Sequence, residues 1–271
     1  MYKAIFIDID GTLRNSKRQL TDKTKEIVKK VTEKGILVIL CSGRPRKHTE
    51  NVSRQANASK YIITSNGSGI YDYEENKTIS INCMDKQECI ELYKIAESIN
   101  VKIMMNGESG RVVNRITDFD GTEKQLDQTI EKYVENNNIE QCVITDRDFQ
   151  KIKRIKPLIE KLKKVEIKNQ HKSLIDETVP KEGNIYYDIA DIQSNKGNAI
   201  IKLCKLLNID LKDTIAIGDE YNDLSMFQIV GYSVAMGNAN EKIKTQVNEV
   251  TLSNDEDGVA VFLEKLLHEE K

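Results

Sequence analysis

The stretch Ala4-Ile5-Phe6-Ile7-Asp8-Ile9-Asp10-Gly11-Thr12 decides how the rest of the chain is read. Consecutive apolar residues predict a buried strand. Because strand side chains alternate faces, Asp8 and Asp10 are expected to project the same way at its C-terminal end. Two carboxylates there make a hard, anionic oxygen site, and Gly11 permits the sharp turn that lets such a tip meet a ligand. An Asp-Gly pair also marks ordinary solvated turns, so its meaning depends on what else the chain brings to the same place.

Outward from this strand the pattern repeats. Thr21 is placed to cap a helix whose apolar positions Ile27, Val28 and Val31 have helical spacing, and Gly35 ends it. A strand over 36–40 runs into Cys41-Ser42-Gly43-Arg44, and Pro45 suits the first turn of the next helix. A third strand over 61–64 ends in Ser65-Asn66-Gly67. Strand, helix, strand, helix, strand predicts a parallel sheet with right-handed crossovers, in which ligands collect beyond the C-terminal strand ends.

From residue 70 the reading changes to an antiparallel hairpin reaching residue 81. There follow a helix over 85–99, strands over 101–105 and 111–116, a helix over 123–136, a strand over 141–145, a helix over 150–163, and strands over 165–168 and 185–190. The parallel pattern then resumes. Ser194-Asn195-Lys196-Gly197 opens a helix to residue 207, and a strand over 214–217 meets Gly218-Asp219-Glu220-Tyr221-Asn222-Asp223. A strand over 232–236 precedes Gly237-Asn238, and a helix over 257–267 closes the pattern. The expected class is α/β, a catalytic core of residues 1–82 and 190–271 split by an inserted, lid-like α+β cap domain over 83–189.

Composition narrows the partners. With 41 basic against 43 acidic residues among 271, the formal net charge of −2 offers no footprint for nucleic acid or an anionic membrane. No apolar run approaches the roughly 20 residues of a membrane span, and the chain enters a strand motif directly, so a cytoplasmic protein is expected. Five cysteines without CxxC spacing suggest neither a disulfide framework nor a thiolate zinc site, and three scattered histidines leave few nitrogen ligands. Any metal is expected to be magnesium-like. A monomer or weak homo-oligomer acting on a small molecule is expected.

The polar tips make a set: Asp8 and Asp10, Ser42, Lys196, and Asp219 with Asp223. Converging carboxylates repel unless a cation joins them, and Mg²⁺ prefers carboxylate, water and phosphate oxygens. Phosphoryl transfer needs an in-line nucleophile and neutralisation of the phosphoryl charge. Asp8 is placed to attack, Lys196 and Mg²⁺ to neutralise, Ser42 to donate, and Asp10 to protonate the leaving alcohol and then deprotonate water. A receiver-type signalling domain uses similar residues, but the interval from Ser42 to Lys196 far exceeds one crossover. A phosphomutase shares the chemistry and returns the phosphoryl group to sugar, and the residues alone leave it open.

Asp8-Ile9-Asp10-Gly11-Thr12-Leu13, Ser42-Gly43-Arg44, Lys196-Gly197 and Gly218-Asp219-Glu220-Tyr221-Asn222-Asp223 resemble, in order, the four motifs of the haloacid dehalogenase-like phosphohydrolases. Ser65-Asn66-Gly67 and Met236-Gly237-Asn238-Ala239 are similar to segments of the Cof-type group within them. The resemblance implies a Rossmann-like core, a cap inserted after the third strand, and Mg²⁺-dependent hydrolysis of phosphate monoesters through an aspartyl-phosphate on Asp8; because a lidded pocket suits a compact ligand, sugar phosphates are expected foremost. It implies Asp10 as acid/base and Ser42 and Lys196 as phosphate holders. Asp8, Asp219 and the Asp10 carbonyl are then metal ligands, and Asp223 orients or joins that site. Gly11, Thr12, Gly43, Arg44, Asn66 and Asn222 are expected around phosphate or substrate; a surface role stands equally for Arg44, and an Asx turn for Asn66, Asn222 and Asn238. Cys41 and Tyr221 read as packing residues.

Overall fold

The structure, a computed structural model, describes residues 2–107, 110–117, 123–175, 180 and 183–269. The chain opens with β1 (Ala4–Ile7), α1 (Asp22–Glu33), β2 (Leu37–Cys41), α2 (Arg46–Gln55), β3 (Tyr61–Thr64), β4 (Gly69–Asp72) and β5 (Lys77–Ile81). Next come α3 (Lys86–Ile99), β6 (Lys102–Gly107), β7 (Gly110–Val113), β8 (Lys124–Gln125), α4 (Ile130–Asn136), β9 (Ile139–Asp146), α5 (Phe149–Ile159), β10 (Val165–Gln170) and β11 (Ile185–Asp191). Then follow α6 (Lys196–Leu207), β12 (Thr214–Gly218), α7 (Leu224–Phe227), β13 (Tyr232–Ala235), α8 (Glu241–Lys244), β14 (Glu249–Val250) and α9 (Gly258–Glu269). No helix among the described residues is long and apolar enough to cross a membrane.

The chain forms two compact units, Met1–Ser80 with Asn195–Lys271, and Ile81–Ser194. The first is built on one sheet of order β14-β13-β12-β1-β2-β3-β4-β5. It is parallel from β14 through β3, and β4 pairs antiparallel to β3. Strand alternation sorts its core into two layers. Ile5, Ile7, Val38, Leu40, Ile215 and Ile217 pack on one face with α1 and α9 residues such as Val28, Val31 and Leu263. Ala4, Phe6, Ile39, Cys41 and Ala216 pack on the other with Ala199, Ile200 and Leu203 of α6. Asp8 continues the parity of Ala4 and Phe6, toward the face that α6 covers, and Ile9 continues that of Ile5 and Ile7. Thr21 caps α1 by accepting from the Thr24 N–H, as its place before the apolar periodicity predicts.

The second unit carries a sheet of order β10-β11-β9-β6-β7-β8, antiparallel except for β7 with β8. Its core includes Ile103, Met105, Cys142, Ile144, Ile155 and Ile189. Its two chain passages are tied where Asn82 Nδ2 donates to Asp191 Oδ1 at 3.1 Å and Ser194 Oγ at 3.0 Å. Residues 108–109, 118–122, 176–179 and 181–182 of the predicted insertion lie outside the described residues.

Three expectations change here. The helix expected over 123–136 starts only at Ile130, because Thr129 caps it through the Lys132 N–H and the buried positions Ile130, Tyr133 and Val134 begin there; Lys124 and Gln125 pair with β7 instead. The strand expected over 111–116 stops at Val113, since the Asn114 side chain turns back to bond Ile103 N and Val101 O. The helix expected over 150–163 ends at Ile159, past which the Lys161 and Leu162 N–H groups reach back only three residues, to Leu158 O and Ile159 O.

Candidate active site

The C-terminal tips of β1, β2, β3 and β12 and the start of α6 bring the predicted residues together. At the centre lies Lys196, whose side chain is wholly buried. Its Nζ donates to Asp8 Oδ1 at 2.5 Å and to Asp223 Oδ1 at 2.6 Å. Asn195 caps α6 by accepting from the Asn198 N–H, which fixes Lys196 as the first helical residue. Asp223 Oδ2 accepts from the Asp219 and Glu220 N–H groups, both at 2.9 Å, so both of its oxygens are engaged by protein donors. Thr12 Oγ1 donates to Asp219 Oδ1 at 2.7 Å, and Asn238 Nδ2 reaches Gly11 O at 2.9 Å and Asp219 Oδ2 at 3.4 Å.

Asp8, Asp219 and Asp223 are all buried and each offers an oxygen within 4.8 Å of the others. Burial pushes the Asp8 carboxyl well above the usual carboxylate range; Lys196 pulls it down, while Asp223 and Asp219 add to the rise. Burial opposes the charged form of Lys196 as well, but Asp223 and Asp8 outweigh it and hold its ammonium above the ordinary lysine value. An all-oxygen donor set with more negative charge than one ammonium balances fits a hard divalent cation. Gly11 belongs to this geometry: its φ is +87°, and a Cβ there would lie 2.4 Å from Asp219 Oδ2.

The strand-based expectation for Asp10 needs correcting. β1 ends at Ile7 and the chain turns, so Asp10 does not share the burial of Asp8. Its carboxylate, with 36% of the side chain exposed, lies outside the aspartate cluster. Arg44 holds it with two bonds, Nε to Oδ2 at 2.8 Å and Nη2 to Oδ1 at 3.2 Å. Arg44 therefore has a definite partner in the site. Ser42 is buried, and its Oγ accepts from the Arg44 N–H at 3.1 Å. Gly43 leaves room for Asn66, whose amide nitrogen lies 3.0 Å from where a Cβ would stand.

Ser65, Asn66 and Gly67 all have left-handed φ, at 50°, 56° and 93°. For the first two this is an uncommon and costly backbone. The turn is held by Ser65 N to Arg44 O at 2.9 Å and Asn66 N to Ser42 O at 3.1 Å. Asn222 Nδ2 donates to Asn66 Oδ1 at 2.9 Å. The remaining amide atoms, Asn66 Nδ2 and Asn222 Oδ1, are buried and have no hydrogen-bond partner among the described residues. The two asparagines thus brace the β3 tip against the β12 tip instead of facing solvent. Thr12 gives its hydroxyl proton to Asp219. Cys41 packs in the core, where burial pushes its thiol up, whereas Tyr221 is exposed and does not pack.

Sequence reasoning leaves Asn238 undecided and gives no weight to Asn254, whose N–H donates to Asn238 Oδ1 at 2.9 Å and whose Nδ2 donates to Arg14 O at 3.0 Å. Their place after the β13 strand, at the same sheet edge as the other tips, is the signal that marks them.

Residues 5–263 match the family model of the haloacid dehalogenase-like hydrolases. The chain is 30% identical to phosphatase YwpJ of Bacillus subtilis, over 98% of this chain and 100% of that one. It is 29% identical to the B. subtilis 5-amino-6-(5-phospho-D-ribitylamino)uracil phosphatase YwtE, over 98% of each. Among solved structures it is similar to a haloacid dehalogenase-like hydrolase from Bacteroides thetaiotaomicron, with a TM-score of 0.83 and 25% identity over 98% of this chain and 100% of that one.

Proposed function

The chain belongs to the haloacid dehalogenase-like hydrolases, and from that premise we propose that it is a Mg²⁺-dependent phosphatase of small phosphorylated metabolites, sugar phosphates foremost, acting through an aspartyl-phosphate on Asp8. The observation that carries this reading is the buried Asp8 carboxylate, gripped through one oxygen by Lys196 beside Asp219 and Asp223. The likeness to a relative named for a phosphorylated ribityl compound supports the substrate class.

In this reading the Asp8 oxygen that Lys196 does not hold attacks phosphorus, the ester P–O bond breaks, and Asp10 gives its proton to the departing alcohol oxygen. Asp10 then takes a proton from water, whose oxygen attacks phosphorus, releasing inorganic phosphate and regenerating Asp8. Lys196 fixes Asp8 and places positive charge by the phosphoryl oxygens, with the Ser42 hydroxyl as donor. Arg44 orients Asp10. Asp8, Asp219 and the Asp10 carbonyl would hold Mg²⁺, with Asp223, Thr12 and Asn238 orienting those ligands. When bound, Mg²⁺ supplies the charge that neutralises phosphate and carboxylates together. We also assign substrate selection to the inserted unit, since every residue above lies outside it.

The test is rapid quench of wild type with a radiolabelled sugar phosphate, with and without a chelator. Label is expected on Asp8, with inorganic phosphate as product, and neither in excess chelator. Asp8→Asn should show no label, and Asp10→Asn should slow turnover by roughly 10²- to 10⁴-fold. Label on Ser42, or activity that survives exhaustive chelation, overturns the assignment. Label passed to a second sugar hydroxyl in preference to water identifies a phosphomutase.

A further inference from the structure

Arg14 stands just beyond the turn that follows β1, and nothing in the mechanism uses it. Its N–H donates to Ile9 O at 2.9 Å, and a bridge sets Arg14 beside Asp10. Its Nη1 lies 3.4 Å from His48 Nε2 on α2, a ring nitrogen that contributes no negative charge. The side chain is partly buried, and its Nε is buried with no hydrogen-bond partner among the described residues. Asp10 is the acidic neighbour that attracts it, yet both Asp10 oxygens are already bonded by Arg44. Burial, with repulsion from Arg44 and Arg18 against the pull of Asp10, lowers the Arg14 pKa from its usual value.

Two guanidiniums therefore share one carboxylate at a partly desolvated place. A buried charged donor without a partner is destabilising, and such a group in a folded protein calls for an explanation. An anion beside the guanidinium offsets its charge, and a planar guanidinium fork fits a carboxylate or phosphate in particular. Position adds to the argument. Asp10 is two residues beyond Asp8, so their Cα atoms are at most about 7 Å apart. The place beside Asp10, where Arg44 is bonded and Arg14 is bridged, is thus at the same strand tip as the carboxylate proposed to react.

We propose that Arg14 and Arg44, both beside Asp10, form a second anion subsite, so that the preferred substrates carry a carboxylate or second phosphate in addition to the phosphate ester. This deepens the phosphatase reading and rests on it. It assigns Arg14 as a substrate-binding residue and narrows the substrate class from sugar phosphates in general to doubly anionic ones, such as phosphorylated sugar acids and bisphosphates.

The test compares a hexose 6-phosphate with the hexonic acid 6-phosphate of the same carbon chain, using the full-length protein with Mg²⁺. Wild type is expected to favour the acid in kcat/KM by tenfold or more. Arg14→Gln should collapse that ratio toward one, chiefly through KM for the acid, and Arg14→Lys should restore part of it. Equal kcat/KM for the two compounds in wild type, or an equal loss on both in Arg14→Gln, overturns the subsite. Calorimetric binding of the same two compounds to Asp8→Asn, with and without Arg14→Gln, separates the two readings. Tighter binding of the acid that depends on Arg14 upholds the subsite even where wild type hydrolyses neither compound, a result that counts against the sugar-phosphate reading alone. Equal binding overturns the subsite.

Discussion

Replacing Lys196 with Met keeps most of the apolar stem of the side chain and deletes the ammonium with its charge and its donors. Asp8, Asp219 and Asp223 then remain buried together with no ammonium among them. The deleted contacts are short, 2.5 and 2.6 Å, and Lys196 and Asp223 have no exposed side-chain surface, so solvent cannot substitute for the lost partner. Removing one member of such a buried pair costs about 3–5 kcal/mol, mostly as the penalty on the charges left behind. For a domain of this size that is a fall in midpoint of roughly 6–20 °C. Thermal unfolding followed by circular dichroism, in chelator and in saturating Mg²⁺, measures it. The full deficit is expected in chelator, and a smaller one with Mg²⁺, since a cation bound at the folded site would replace part of the missing charge. Activity should fall on the order of 10²-fold or more in either case. A loss below about 1 kcal/mol in chelator, or a deficit that Mg²⁺ leaves unchanged, refutes the account of Lys196 as the charge that holds the carboxylates together.

Gly11→Ala places a methyl 2.4 Å from Asp219 Oδ2 at a φ of +87°, so a backbone cost of about 1–2 kcal/mol should accompany a weakened Mg²⁺ requirement curve; a titration of activity with Mg²⁺ that overlays wild type counts against Asp219 as a ligand. Asp72 is buried, pairs with Lys60 Nζ at 2.7 Å and accepts from the Glu74 and Glu75 N–H groups. Burial raises its pKa, but these bonds outweigh it and the net shift is downward, so its contribution is present above the unfolded-state pKa and lost as pH falls through the folded one. Asp72→Asn should therefore destabilise by about 1–3 kcal/mol at pH near 7 and by little in strong acid, which urea unfolding at the two pH values resolves.

How far the sequence could be read depends on the range of the interaction involved. Strand parity is local, and it places Asp8 on the face of Ala4 and Phe6, where α6 packs. Capping is local too, which is why Thr21 and Asn195 mark helix starts correctly. The same local rule fails at Asp10, because it assumes the strand continues past Ile7. Once the chain turns, the partner of Asp10 is set by Arg44 on another tip. Thr12 gives its hydroxyl to Asp219, and Asn222 braces Asn66, through contacts between residues 207 and 156 positions apart. No window of sequence contains both ends. The family motifs name these positions, yet a motif does not state which partner each side chain takes. Arg14 passes unnoticed for the same reason, since its unmet charge exists only after β1 and α2 are side by side.

The pairing of Ala4 with Thr214 has a consequence for how the protein is made. At 5–20 residues per second, roughly ten to forty seconds separate the synthesis of these two partners. Over that interval β1 can pair only on the β2 side, while the contiguous segment Ile81–Ser194, with its own core, is complete earlier and can fold first. A strand whose second neighbour arrives so late is an open apolar edge on the ribosome. Lys196, Asp219 and Asp223 are likewise added long after Asp8, so a truncated or stalled chain exposes an adhesive edge and leaves the Asp8 carboxylate without the partners that surround it in the folded site.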